Sequence, residues 1–88
     1  MIYTESLSFL SVRDEAITLL SNKYVCSIED RDDIHTLVVN LPNSSIRWTY
    51  NPNTYERFSL DCGTYPEPKN TPISAKGLIN YLNELIPA

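Results

Sequence analysis

The sequence predicts a small α+β domain of order α-β-β-β-β-α: a four-stranded antiparallel meander with an N-terminal and a C-terminal helix on one face. Three observations predict it. Between Tyr24 and Cys62, four segments rich in β-branched and aromatic residues alternate apolar with polar side chains. Tetrads rich in turn-forming residues, at 30–33, 42–45 and 51–54, separate them. Apolar residues at helical spacing flank this region on both sides.

The elements follow in order. Residues 1–10 hold apolar side chains with no clear period and are expected as an N-terminal arm or an added edge strand. Ser11, followed by Asp14 three positions later, is a variant of the capping box. It precedes Val12, Ala16, Leu19 and Leu20, which predicts a helix over 12–22.

In each strand the more apolar alternate set defines an inward face. These sets are Tyr24, Cys26 and Ile28; His35, Leu37, Val39 and Leu41; Ile46, Trp48 and Tyr50; Phe58 and Leu60. Pairing inward with inward residues sets Cys26 opposite Leu37 and Val39 opposite Trp48, both closed by even-length loops. Trp48 opposite Phe58 needs an odd loop or a bulge. That register is preferred because exposing Phe58 and Leu60 forfeits about 1.5–3 kcal/mol each. A core row Tyr24, Val39, Trp48, Phe58 is expected, with Val25, Val38, Arg47, Tyr55 and Arg57 on a half-polar outer face.

Residues 63–73, with Pro66 and Pro68, read as an extended connection. Thr71, Pro72 and Ser74 then suit a helix start. Ala75, Leu78, Ile79, Leu82, Leu85 and Ile86 repeat at intervals of three and four, and Pro87 stops them. Gly77 is expected to allow close approach to the sheet. The 88 residues, 42% of them hydrophobic, fit one domain, 1–88, around one core.

A net charge of −4 disfavours a phosphate-binding face, which needs clustered Lys and Arg. In an up-down meander the turns at 30–33 and 51–54 fall at one end, and the first helix is expected to begin there too. Asp14, Glu15, Glu29, Asp30, Asp32, Asp33 and Glu56 gather at that end against Arg13 and Arg31, leaving it near −5. Acids also suit turns and helix N-termini on structural grounds alone.

No catalytic motif emerges. Cys26, Cys62 and His35 supply the residue types of a nucleophile and base, but the strand order separates them, so free thiols and a half-buried histidine are expected. There is no CxxC, and the run from Glu29 lacks the Gly and bidentate Glu of a calcium loop. With glycine only at 63 and 77, a phosphate-cradling loop is absent. No metal, cofactor or enzymatic activity is expected.

The helix-strands-helix order resembles that of double-stranded RNA-binding domains in topology. Their basic stretch is represented here by Lys69 and Lys76 alone.

The reading is therefore a small, acidic, cytoplasmic, non-enzymatic module, akin to phage-type or mobile-element inhibitors that mimic nucleic acid. Its acidic end would dock on a protein partner with a basic surface, without membrane or direct nucleic-acid binding. The alternative is a nucleic-acid-binding or scaffold subunit using Arg47, Tyr55 and Arg57 on the outer face. A homodimer through an unpaired edge strand is a third reading.

Overall fold

A computed structural model describes residues 2–85. Its elements are α1 (Ile2–Leu20), β1 (Val25–Arg31), β2 (Ile34–Asn40), β3 (Ser45–Tyr50), β4 (Phe58–Asp61) and α2 (Ala75–Leu85). The strands form one antiparallel sheet in sequential order. The fold is the expected α+β arrangement. Ile86 and the Pro87 stop lie outside the described residues.

The N-terminal segment departs from expectation. Residues 2–10 are neither arm nor strand but the first half of a 19-residue helix. The buried stripe of α1 is Phe9, Arg13, Ala16 and Leu20, spaced four, three and four apart, whereas Leu19 is 57% exposed. A buried arginine interrupts the apolar pattern by which a helix is recognised. Ser11 is exposed inside the helix and does not cap it.

Each strand presents the inward face expected, but the registers slide by two residues. Cys26 lies opposite Val39, Leu37 opposite Trp48, and Trp48 opposite Leu60. A slip of two keeps every side chain on its face, so apolar patterning cannot detect it. The turns decide. Asp32 and Asp33 alone close the first hairpin, with Asp32 at φ 56°, a conformation Asp tolerates better than most residues. The inward row through Trp48 is Ile28, Leu37, Trp48, Leu60, half exposed at Ile28, beside a second row of Asp30, His35, Tyr50, Phe58. The β3–β4 loop, 51–57, is odd in length, as the apolar pattern requires.

Phe9 packs against Trp48, Tyr50 and Phe58 at ring-centroid distances of 5.1, 5.4 and 5.8 Å. Trp48 Nε1 donates to the Pro72 carbonyl at 2.8 Å, and Tyr81 donates to the Pro66 carbonyl at 2.7 Å. These two bonds strap the proline-containing connection over the core. Ser74 caps α2 by accepting from the Gly77 N–H at 3.1 Å. The neighbours of Gly77 are Ser74 and Pro72, not the sheet.

Candidate functional site

The β1–β2 turn and the β3–β4 loop share one end of the sheet. Asn53 Nδ2 bridges them by donating to both Asp33 carboxylate oxygens at 3.1 and 3.3 Å. The loop is ordered from within: Asn53 N–H donates to Asn51 Oδ1 at 2.9 Å, and Thr54 Oγ1 to the Glu56 carbonyl at 2.8 Å. Asp32 and Glu56 stand exposed on these two loops.

The seven acidic residues fall into three groups. Asp32, Asp33 and Glu56 occupy the tip. Asp14 and Glu15 are exposed on α1, in its second half. They are not in its first turn, so no favourable interaction with the helix dipole accounts for them. Glu29 and Asp30 are drawn into ion pairs on opposite faces of β1. Glu29 accepts from Arg47 of β3 on the outer face. The pair reaches across β2, and Thr36 and Val38 beneath it are buried although no helix covers that side.

Asp30 belongs to the inner face. Arg13, only 5% exposed, donates to its two carboxylate oxygens at 2.6 and 3.3 Å and to the Thr36 carbonyl at 3.4 Å. The Arg13 guanidinium, aided by His35, holds the Asp30 carboxyl below the usual carboxylate range despite partial burial. His35 Nδ1 lies 3.2 Å from the same carboxylate, off the line of a hydrogen bond. With Arg47 and Arg57 also reaching this end, four arginines oppose its seven acids, and the excess charge is smaller than the turns alone suggest.

The alternative surface does not come together. Arg47 sits on the outer face in a row with Ser27, Val38 and Asp61. Tyr55 and Arg57 precede β4 in the loop and line a cleft on the helix side. That cleft, of about 370 Å³, is walled by Phe9, Val12, Tyr50, Phe58 and Ile73, with Tyr55 fully exposed at its mouth. It went unseen in the sequence because two of its walls, Phe9 and Ile73, come from segments read as an arm and a connection.

Cys62 is buried just past β4, and Cys26 is half-buried on β1, where burial pushes its thiol pKa up. Burial, then the neighbouring Cys62, raises the Tyr81 phenol. Among the described residues no three of His, Cys, Asp and Glu converge to hold a metal ion. No helix among them is long and apolar enough to cross a membrane. No protein-family model, curated protein or solved structure matches the chain.

Proposed function

We propose that the chain is a non-enzymatic protein-binding module that applies the turn end of its sheet to a basic surface of a partner protein. The contact between Asn53 and Asp33 carries this reading. It joins the acidic β1–β2 turn to the loop that carries Glu56 and sets the exposed Tyr55 and the apolar cleft beside them. Charge would steer the approach, and the aromatic residue would anchor it. A basic surface of this kind is typical of nucleic-acid-binding proteins, so the module would act as an inhibitor that mimics nucleic acid, in the manner of phage-type inhibitors.

Affinity capture from lysate followed by titration of the captured partner tests the proposal. The expected affinity falls as ionic strength rises. The combined variant Glu15→Gln, Asp32→Asn, Glu56→Gln should bind several-fold more weakly and with a shallower salt dependence. These side chains are exposed, so the variant should keep its thermal stability. A partner whose affinity ignores both salt and this variant would refute the reading.

A further inference from the structure

The outer edge of β1 is open. In a two-residue hairpin the residues flanking the turn exchange both backbone hydrogen bonds, so Arg31, Glu29, Ser27 and Val25 turn their backbone groups toward β2. The same alternation continues across the sheet: Leu41 N–H donates to the Ser44 carbonyl at 3.1 Å, and Asn51 N–H to the Arg57 carbonyl at 2.7 Å. Cys26, Ile28 and Asp30 therefore aim their N–H and C=O groups away from the sheet. Among the described residues no loop or turn backbone group bonds to them.

The deterrents on β1 are confined to the charges of Glu29, Asp30 and Arg31. Its seven residues contain no proline, lysine or bulge. Its two acids are drawn back onto their own domain, Glu29 by Arg47 and Asp30 by Arg13. Ile28, at the centre of the strand, is 50% exposed on the face the helices otherwise cover. The opposite edge, β4, has only four residues.

We propose that β1 pairs antiparallel with β1 of a second copy, with Ile28 on the two-fold axis, so that two sheets join into one. Hydrogen-bond valence and charge select this register. Centred on Ile28, the pairing sets Ile28 against Ile28 and Cys26 against Asp30, which satisfies every outward N–H and C=O of both copies. On the outer face Ser27 meets Glu29 and Val25 meets Arg31, so no like charges stand opposite. Centring on Glu29 would set that acid against itself. Centring on Ser27 would set Asp30 against Tyr24, whose N–H is already held by the Leu20 carbonyl at 2.8 Å. This dimer does not rest on the function proposed above, and either stands if the other fails.

Sedimentation equilibrium of the whole chain across a concentration series is the first test, with mass expected to rise from 10.1 kDa toward twice that value. Ile28→Pro removes an outward N–H without touching the β2 ladder and should hold the mass at 10.1 kDa throughout. A second pair of variants fixes the register and does not depend on a proline being tolerated. In a Cys26→Ser background, Ile28→Cys should give a disulfide-linked dimer on mild oxidation, because the two-fold axis brings residue 28 to its own copy. Ser27→Cys, facing Glu29 on the other side of the sheet, should cross-link several-fold less. A wild-type chain that remains at 10.1 kDa at every concentration, a dimer that survives Ile28→Pro with the fold intact, or equal cross-linking at 27 and 28 would each overturn the proposal.

Discussion

Arg13 and Asp30 are 17 positions apart, and no spacing rule links them. Their pairing satisfies most of a guanidinium that α1 carries into the interior, a burial that is costly without a counter-charge. The folded state favours the Asp30 carboxylate, so its contribution to stability is full above the ordinary aspartate pKa near about 3.9 and is lost as pH falls through the lower folded value. Asp30→Asn should cost about 1 kcal/mol near neutral pH, a figure reduced because the carboxylate is partly solvated. Denaturant titrations should show the difference from wild type shrinking below about pH 4. A difference that is as large at pH 2 as at neutral pH would contradict the pairing. Gly63 makes a second demand at this scale. At φ +58° it occupies the left-handed region, and a Cβ there would lie 1.9 Å from Ser44 Oγ. Gly63→Ala should lose at least about 1 kcal/mol from the backbone term alone, read as a lower denaturation midpoint. Ser44→Gly should recover most of the steric part, with the Ser45 carbonyl still 3.1 Å from the new Cβ, and leave the conformational part.

Among the elements, α1 has the largest consequence for packing. Phe9 is the ring on which the Trp48, Tyr50 and Phe58 contacts converge, yet it lies in the segment where sequence periodicity is weakest. Phe9→Ala should destabilise the domain by about 3–5 kcal/mol, most of what a domain of this size has in reserve. Thermal or chemical unfolding measures it, and a loss below about 1 kcal/mol would mean that the helix does not seat this ring. The strands show how legibility divides within an element. Faces were readable because side chains alternate with period two, and all four inward sets hold. Registers were not, because a shift of two leaves the faces unchanged and only the turn geometry separates the alternatives. The Asp32–Asp33 turn is centred one residue later than the 30–33 tetrad read from composition, and that displacement moved the whole first hairpin by two.

For the whole molecule, the candidate site was half legible. The meeting of the β1–β2 turn and the β3–β4 loop at one end follows from an up-down meander, and the bridge from Asn53 to Asp33 realises it. The neutralisation of Glu29 and Asp30 was not legible, since their arginine partners come from elements distant in sequence. Nor was the cleft, which exists only because the first helix, the β3–β4 loop and the connection before α2 converge. The open β1 edge belongs to this scale as well. A meander of sequential order has two edges by necessity, and here the longer of them is the first strand, with its acids held back by partners on its own domain.

Local chemistry was enough to determine which segments form strands, which face of each strand is apolar and where the C-terminal helix lies. Those properties depend on neighbours within a few positions along the chain. Tertiary structure decided the extent of α1, the strand registers, the pairing of buried charge, the cleft and the open edge. Each of these depends on which distant surfaces meet, and a buried arginine or a two-residue slip leaves the local pattern nearly unchanged while altering what the assembled surface presents.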